Sequence, residues 1–489
     1  MFIRERLINK FLVFFTLFTI GVISSCSDNH FDEPDSIDRE EKKMTFELRD
    51  GEAWVTEISD TSFIDIPSEI IVDGYTFPVV GLADFKITNE KLNHLSIPPS
   101  IKYIDANFAD SQVDNLFIED LKSWCGIKFK ELSYHADIPY IDTESNPMYY
   151  SSEVYIDGEP IKNKIVIPDG IEEISDFAFN ISKVDTIVIG NDVKRIGRRS
   201  FYHCFNISGI SLGESVKVID DEAFPGFLLG LENFRLPDSI EAIGYNTLDC
   251  IGTINIPSSL KKLGIYNFRL VDVVNISSLE SFASIQYYSS LYHNEEANPD
   301  MAFNFFYGYD LALNGELIEE LVIPENIETI HSGAFCNVNS LSSVTIQEGV
   351  KNLIWDCFSH CDNLERVTIA GSVEETRGFN SNKNLKSVYI EEGARRVSGF
   401  SNTPLLEEYF LPSTLEYLSF DLENHENVES LNLYIKAITP PELNLYYGGW
   451  SDIPEDVTDN IILHVPEVSI ETYRSNPEWG RFTHIINGN

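Results

Sequence analysis

A short apolar pattern that recurs at a nearly fixed interval constrains the fold of this chain most. Between residues 340 and 412 a hexad with apolar first, fourth and sixth positions occurs four times, and its starting leucines lie 23, 21 and 21 residues apart. The four hexads begin at Leu341, Leu364, Leu385 and Leu406. Alternating apolar residues over so few positions indicate a β-strand with one buried face. A strand that returns at such a period is typical of a solenoid, in which each turn adds one strand to a parallel sheet.

The same pattern extends through most of the chain. Counted by the Ile or Leu that closes each unit, eleven units occur between Ile97 and Leu411. A period of about 20 to 29 residues with L-x-x-L-x-L defines leucine-rich repeats. A second apolar half-motif, in which Phe follows Ile or Leu by five residues as in Ile330 and Phe335, predicts a second strand and a phenylalanine ladder. Units after Phe379 lack it, so we expect the late coils to be thinner.

Two insertions interrupt the series and resemble each other. The sequence LKSWCGIKF at 121–129 parallels LESFASIQY at 279–287, and each is followed by Asn-Pro and then by Asp-Gly or Asn-Gly. Asp-Gly or Asn-Gly between alternating apolar runs predicts a β-hairpin. We interpret the insertions as adaptors, each a short helix and a hairpin that leads the sheet edge into a new run of coils. Their tips are alternatively ligand sites, with the aromatic segment 303–307 as the candidate.

These features predict a β-rich leucine-rich-repeat solenoid, with parallel strands in stacked coils of about 23 residues. Two arrays are joined by the adaptors, and β caps at both ends cover the otherwise bare apolar coils. Trp450 lies in the last cap and is either part of that cover or a binding residue. The predicted segments are a lipoprotein signal peptide (1–25), an acidic tether (26–43), an N-terminal β cap (44–84), a first repeat (85–110), an adaptor (111–164), array one (165–272), a second adaptor (273–320), array two (321–430) and a C-terminal cap (431–489).

The amino terminus is typical of an export signal. Three basic residues precede an apolar run, 11–23, that is too short to span a bilayer comfortably. The run ends in Ile23-Ser24-Ser25-Cys26, which resembles a bacterial lipobox, so we expect Cys26 to be lipidated. The alternative is an ordinary secretory signal with an incidental cysteine. Acylation would anchor the protein to the membrane through lipid, and we expect an exported protein on the bacterial outer membrane, exposed at the surface.

Composition excludes several classes of function. The chain has 78 acidic and 35 basic residues and a net charge of −43, which repels phosphate backbones and argues against nucleic acid as a partner. We find no Asp-x-Asp-x-Asp calcium loop and no Cys-x-x-Cys zinc spacing. No catalytic motif or phosphate-binding loop stands out. We therefore expect a non-enzymatic protein without a cofactor or metal.

Six cysteines remain beyond Cys26. Cys204 and Cys361 each follow a ladder phenylalanine by three residues, which predicts a small buried side chain at an equivalent place in two coils. A large exported chain with its own core does not need disulfides. Structural burial is therefore favoured over disulfide formation, and metal ligation comes last.

The repeat also predicts which residues face outward. In the hexad the residues on either side of the central apolar position point to solvent, and in successive coils they stack about 4.8 Å apart. In the second array these columns contain Arg366, Tyr389 and Phe410. Exposed aromatic residues beside an arginine are typical of protein-binding hot spots, so these three are the candidate ligand-binding residues. The alternative is a merely solvated face whose residues serve strand propensity. The matching positions of the first array are smaller: Thr186, Gly209, Asn233, Val188, Ser211 and Arg235.

The units IPENIETIHSGAF at 323–335 and IPDGIEEISDFAF at 167–179 resemble the I-P-x-x-V-x-x-I-G-x-x-A-F signature of BspA-like, Treponema pallidum-type leucine-rich repeats. The resemblance covers about residues 85–418, with Asn246-Thr247-Leu248 departing from the Ala-Phe pair. It implies a surface lipoprotein that binds host proteins, other cells or glycans rather than a catalyst. We therefore expect adhesion to an extracellular protein or cell, and the alternative is capture of a cell-surface glycan for polysaccharide uptake.

Overall fold

The computed structural model describes residues 44–59, 62–87, 91–130, 144–179, 181, 183–225, 231, 234–288, 308–421, 430–446 and 458–488. Across this part of the chain the fold is a parallel-strand β-solenoid of about 16 turns, spaced about 23 residues apart. It is mostly sheet with little helix, as the repeat predicts. The chain divides into two compact units, residues 1–207 and 208–489, which are described in turn.

The first unit begins with two largely parallel sheets, and its later strands form the parallel pairs β13–β15 and β14–β16. One has the strand order β2-β5-β8-β10, and the other has the order β3-β7-β9-β11. Strand β1 pairs antiparallel with β2, and β4 pairs antiparallel with β5. The parallel pairing typical of the solenoid includes β5, which pairs with β8. The elements of this unit are β1 (Met44–Arg49), β2 (Glu52–Ile58), β3 (Phe63–Asp65), β4 (Glu69–Val72), β5 (Tyr75–Leu82), β6 (Lys91–Leu92), β7 (His94–Ile97), β8 (Tyr103–Ile104), β9 (Gln112–Ile118), α1 (Leu121–Cys125), β10 (Lys128–Phe129), β11 (Ser151–Ile156), β12 (Glu159–Pro160), β13 (Lys164–Ile167), β14 (Glu173–Ile174), β15 (Thr186–Ile189) and β16 (Arg195–Ile196).

The second unit contains an eight-stranded sheet with the order β26-β28-β30-β32-β34-β36-β38-β39, in which every neighbouring pair is parallel. The elements of this unit are β17 (Gly209–Ser211), β18 (Val218–Ile219), β19 (Ala242–Ile243), β20 (Gly252–Ile256), β21 (Lys262–Gly264), β22 (Val271–Ile276), α2 (Leu279–Ala283), β23 (Gln286–Tyr288), β24 (Asp310–Leu313), β25 (Glu316–Leu317), β26 (Glu320–Ile323), β27 (Thr329–Ile330), β28 (Ser343–Ile346), β29 (Asn352–Leu353), β30 (Arg366–Ile369), β31 (Glu375–Thr376), β32 (Ser387–Ile390), β33 (Arg396–Val397), β34 (Glu408–Leu411), β35 (Tyr417–Asp421), β36 (Leu431–Ile435), β37 (Glu442–Tyr446), β38 (Ile461–Val465), α3 (Ile470–Ser475) and β39 (His484–Asn487).

The two adaptors share one construction. Each has a five-residue helix with a side-chain cap, from Asp120 in α1 and from Ser278 in α2. The helix ends accept equivalent hydrogen bonds from the next coil, Ser175 N to Cys125 O at 2.8 Å and His331 N to Ala283 O at 2.9 Å. Each helix is followed by a hairpin, β11–β12 or β24–β25. The predicted helix-plus-hairpin adaptors are confirmed, with the added finding that each hairpin ends a sheet and the next sheet starts at β13 or β26.

A phenylalanine ladder fills the interior of the second unit. Phe335, Phe358, Phe379 and Phe400 stack with ring centroids 5.0, 4.9 and 5.3 Å apart and interplanar angles of 5°, 8° and 1°. The expectation of thinner late coils was wrong, because a second sheet continues as β31-β33-β35-β37. In the shorter repeats Phe379 and Phe400 follow their second strand by three residues instead of five. The two residues lost from each 21-residue repeat are taken from that turn.

A buried polar column runs beside the ladder at the third residue after Phe358, Phe379 and Phe400. Cys361 Sγ donates to Phe335 O at 3.2 Å, Asn382 Nδ2 donates to Phe358 O at 3.1 Å, and Thr403 Oγ1 donates to Phe400 O at 3.0 Å. In the first unit Cys204 Sγ donates to Phe179 O at 3.5 Å. All six cysteines of the described residues are free and buried, which confirms structural burial.

The C-terminal residues continue the eight-stranded sheet and then close it. Tyr473 on α3 donates from its hydroxyl to Ala437 O at 2.9 Å, and Trp479 donates from Nε1 to Pro441 O at 2.7 Å. Both rings are fully buried, so their polar atoms need these partners. None of the helices in the described part of the chain has the length and apolarity needed to cross a membrane.

Candidate interaction surface

The three candidate binding residues lie on one face of the eight-stranded sheet. Tyr389 on β32 and Phe410 on β34 are register partners, and their ring centroids are 5.7 Å apart with an interplanar angle of 45°. Tyr389 is 40% exposed. Arg366 on β30 is exposed and lies in the neighbouring column, opposite Ser387. The structure therefore brings the two rings together and places Arg366 on the same face.

Two further rings, which the sequence interpretation missed, extend this column. Phe410 stacks on Tyr434 of β36 with centroids 4.4 Å apart and planes 5° apart, and Tyr434 stacks on His464 of β38 at 4.2 Å and 20°. We call Tyr389, Phe410, Tyr434 and His464 the C-terminal aromatic stripe. The sequence signal that would have found the last two is the alternation Leu-x-Leu-x-Ile at 431–435 and Ile-x-Leu-x-Val at 461–465.

Polar groups flank the stripe at both ends. His464 Nε2 lies 2.9 Å from Asn432 Oδ1, and partial burial lowers the pKa of the His464 imidazole. A neutral ring therefore closes this end at neutral pH. At the other end Lys436 Nζ lies 5.9 Å from the Tyr389 ring centroid and 3.4 Å from Glu392 Oε1. The stripe is thus an apolar band bordered by amide, ammonium and carboxylate groups.

Ring orientation determines what the stripe offers to a partner. Rings with nearly parallel planes and centroids 4.2 to 4.4 Å apart cover one another's faces, so Phe410 and Tyr434 present mainly their edges. Only Tyr389 is turned out of the stack. A row of ring edges provides continuous apolar contact with positive-edge character. This suits protein side chains better than sugar rings, which stack on open aromatic faces.

The first unit has a comparable feature, the N-terminal aromatic stripe. Phe63 on β3, His94 on β7, Phe117 on β9 and Tyr155 on β11 stack with centroid distances of 4.0, 4.5 and 4.6 Å. His94 Nε2 lies 2.8 Å from Asp65 Oδ1. Sequence reasoning missed this stripe because its residues fall in three segments that were interpreted separately, as a cap, a first repeat and an adaptor.

Several sequence candidates lie outside the described residues. These are Cys26, Asn233, Trp450 and the segment 303–307. Among the described residues, no group of three or more His, Cys, Asp or Glu side chains is arranged to hold a metal ion. Burial raises the pKa of the Cys204 and Cys361 thiols to about 12, so both remain protonated at neutral pH. Neither thiol is therefore prepared for metal binding or nucleophilic chemistry.

A sequence profile of the BspA type leucine rich repeat region matches six copies over residues 138–252, 172–295 and 310–427. These matches cover more than half of the chain. The chain belongs to the BspA-type leucine-rich repeat family. Leucine-rich repeat solenoids are typically binding scaffolds rather than enzymes, and the family suggests protein binding or adhesion by a surface or extracellular protein.

Three bacterial proteins of known structure are similar to the chain. A leucine-rich repeat protein from Bacteroides ovatus is 16% identical with a TM-score of 0.43, covering 77% of this chain and 95% of its own. A leucine rich cell surface protein from Faecalibacterium prausnitzii is 16% identical with a TM-score of 0.37, covering 86% and 96%. The pneumococcal vaccine antigen PcpA is 15% identical with a TM-score of 0.36, covering 93% and 97%. A comparison with curated proteins found no match.

Proposed function

We propose that the protein is a lipid-anchored surface protein of the bacterial outer membrane that adheres to an extracellular protein through the C-terminal aromatic stripe. The observation that supports this most is the row of four rings on one sheet face, three of them stacked and Tyr389 tilted against Phe410, with Arg366 exposed on that face. Tyr and Arg are enriched among the residues that dominate protein-binding energy. Ring edges held by neighbouring strands also lose little freedom on binding, which favours affinity.

The rest of the proposal follows from the chain's charge and its amino terminus. A net charge of −43 favours partners with a basic surface, because complementary charge increases the rate of encounter. The lipobox-like sequence before Cys26 supports a lipid anchor, and the acidic residues that follow would tether the solenoid away from the membrane. No catalytic step, cofactor or nucleic acid enters this function.

The binding surface is tested with the triple variant Arg366→Ala, Tyr389→Ala and Phe410→Ala. Wild type is screened against immobilised host-matrix proteins, intact cells and a glycan array, and the variant is then measured on every partner that binds. Loss of hot-spot residues should weaken protein binding by about 30-fold or more, equivalent to about 2 kcal/mol. The matched control is Ser343→Ala, Thr345→Ala and Ser387→Ala on the same sheet, which should bind as wild type. Unchanged binding by the aromatic variant would remove this surface from the proposal.

The lipid anchor has its own test. Cys26→Ala should move the protein from the membrane fraction to the soluble exported fraction, because no acyl chain can then be attached. Ser27→Ala is the control and should leave the protein in the membrane fraction. Retention of the Cys26 variant in the membrane fraction would refute lipid anchoring at this residue.

Capture of a polysaccharide for uptake is the second candidate function. The observation that favours it is a group of exposed aromatic rings in the first unit whose faces are not stacked against one another. A surface protein of this family with an open aromatic platform has the group that sugar rings need. The binding screen separates the two functions, because only the second predicts a signal on the glycan array.

A further inference from the structure

Five aromatic side chains from two turns meet on the surface of the first unit. Tyr149 contacts Tyr150 at a centroid distance of 5.0 Å and His203 at 4.6 Å. His203 contacts Tyr202 at 5.2 Å and Phe205 at 5.3 Å, and Phe205 also lies 6.3 Å from Tyr202. We call these five residues the Tyr149 cluster. No part of it belongs to either aromatic stripe.

The rings of this cluster are oriented differently from those of the stripes. Four of the five contacts have interplanar angles of 67° to 90°, and the fifth is 52°. In an edge-to-face contact one ring points its edge at the face of the other, so these rings do not form one parallel stack as the rings of the stripes do. Tyr149 is 45% exposed and Phe205 is 59% exposed. Burial of apolar side chains is the usual outcome of folding, so two such exposed rings in one cluster indicate a binding surface.

Both turns that carry the cluster are fixed by buried polar contacts. The Asn146 side chain is fully buried, accepts from Met148 N at 2.8 Å and donates to Ala178 O at 3.4 Å, which fixes the backbone just before Tyr149. In the second turn Cys204 lies between His203 and Phe205, is fully buried and donates to Phe179 O. The platform is therefore preformed, which lowers the entropic cost of binding a ligand.

We propose that the Tyr149 cluster is a binding site for a neutral glycan. The C–H groups on one side of a pyranose ring carry partial positive charge and pack against the negative face of an aromatic ring. Tyr149 and Phe205 supply two such faces in one cluster. The guanidinium of Arg199 lies 5.2 Å from the Tyr202 ring centroid, beside the cluster.

Charge selects among glycans. The chain's net charge of −43 repels polyanionic saccharides such as uronate polymers, whereas neutral polymers carry no such penalty. Geometry also separates this site from the stripe. Stacked ring edges suit a protein surface, whereas differently oriented open faces suit separate sugar units. The proposal rests on the glycan-capture function given second above, and it does not depend on the protein-binding function assigned to the C-terminal stripe.

The test is affinity electrophoresis, in native gels, of the chain from residue 27 onward, which omits the export signal and Cys26. The gels contain starch, laminarin, yeast mannan, galactomannan, arabinoxylan or dextran, with polygalacturonate as the acidic comparison. We expect at least one neutral polysaccharide to retard the wild-type protein and polygalacturonate not to. Tyr149→Ala and Phe205→Ala should each weaken that retardation roughly tenfold, since each removes one aromatic face.

Matched variants make the outcome specific to ring stacking. Tyr149→Phe keeps the ring and should retain most of the retardation, while Phe205→Leu keeps apolar bulk without a π face and should behave like the alanine variant. The control Tyr75→Ala removes an exposed ring of the first unit that lies outside the cluster and both stripes, and it should leave retardation unchanged. Thermal unfolding checks that each variant is folded. The proposal is overturned if none of the neutral polysaccharides retards the wild type. It is equally overturned if retardation survives in the double variant Tyr149→Ala and Phe205→Ala, or if Phe205→Leu binds as wild type.

Discussion

The substitution Asn382→Ala should destabilise the second array far more than the loss of one small side chain suggests. Asn382 is fully buried, and its side chain makes three hydrogen bonds to backbone groups of the coil. Its Oδ1 accepts from Cys361 N at 2.8 Å, and its Nδ2 donates to Phe358 O at 3.1 Å and Phe379 O at 2.8 Å. Asn382→Ala removes all three hydrogen bonds, and water does not replace them because the site is buried.

The magnitude follows from the groups left unpaired. A buried donor or acceptor without a partner costs about 1–3 kcal/mol. Taking about 2 kcal/mol for the Cys361 N–H and about 1 kcal/mol for each of the two carbonyls gives a loss of about 4 kcal/mol. Asn382→Thr should recover part of this loss, because Thr403 occupies the equivalent position one coil later and donates to Phe400 O.

Native-state hydrogen exchange measures this effect at the right place. Since stability in stacked repeats is largely local, exchange of the Cys361 amide should accelerate by two orders of magnitude or more in Asn382→Ala. The matched control is Asn384→Ala in the same turn, whose exposed amide donates to Asp362 O at 2.7 Å. That variant should lose less than about 1 kcal/mol because water replaces the lost bond. Equal exchange rates at Cys361 in the two variants would refute the role assigned to the buried polar column.

Three further predictions concern the ladder, the thiols and the stripe. Phe358→Ala should lower the free energy of unfolding in urea by about 3–5 kcal/mol, because its ring is buried in the ladder. Trp355→Ala removes an exposed ring and should lower it by about 1 kcal/mol or less. Similar losses in the two variants would contradict the stabilising role of the ladder. In the chain from residue 27 onward, which lacks Cys26, the native protein should not react with a thiol reagent at pH 8, and six thiols should titrate in urea. Rapid reaction of the native protein would contradict the burial of these thiols. Partial burial lowers the pKa of His464 from 6.5 in the folded state, so the unfolded chain binds its proton more readily. The free energy of unfolding is therefore at its full value above pH 6.5 and decreases as the pH falls below 6.5. His464→Gln should therefore flatten the fall in stability between pH 7.5 and 5.5, and an unchanged pH profile would refute the assignment.

Local signals made the fold predictable. The four hairpin turns at Asp50-Gly51, Asp73-Gly74, Asp157-Gly158 and Asn314-Gly315 all have both residues at positive φ, the conformation for which these residue pairs are selected. The hexad likewise predicts its own strand, because its six consecutive residues already show the alternation of buried and exposed positions. Neither signal depends on a distant contact.

The missed features all depend on spacing that the repeat does not keep. Phe400 was overlooked because its coil is two residues shorter than the coil used as the template. Tyr434 and His464 follow their column neighbours by 24 and 30 residues, since the late coils carry longer connections. The Tyr149 cluster joins residues about 50 positions apart in two turns, and no single motif links the two turns. In each case the side chain matters because of its contacts in the folded structure, and a search for residues at a fixed sequence spacing does not detect such contacts.

The distribution of charge explains how a surface this acidic can still be selective. Many of the cations are placed one coil from a carboxylate, as in Lys194–Glu172, Lys351–Glu328 and Arg395–Glu416. These exposed pairs contribute little to stability, but they neutralise cations that would otherwise attract anions indiscriminately. The remaining negative excess repels anionic partners, and a basic partner is attracted to the acidic face without being fixed in register. Under the two proposals, tight binding also requires apolar contact, from the ring edges of the stripe for a protein and from the Tyr149 cluster for a glycan. Charge would then determine which partners approach, and ring orientation would determine which of them bind tightly.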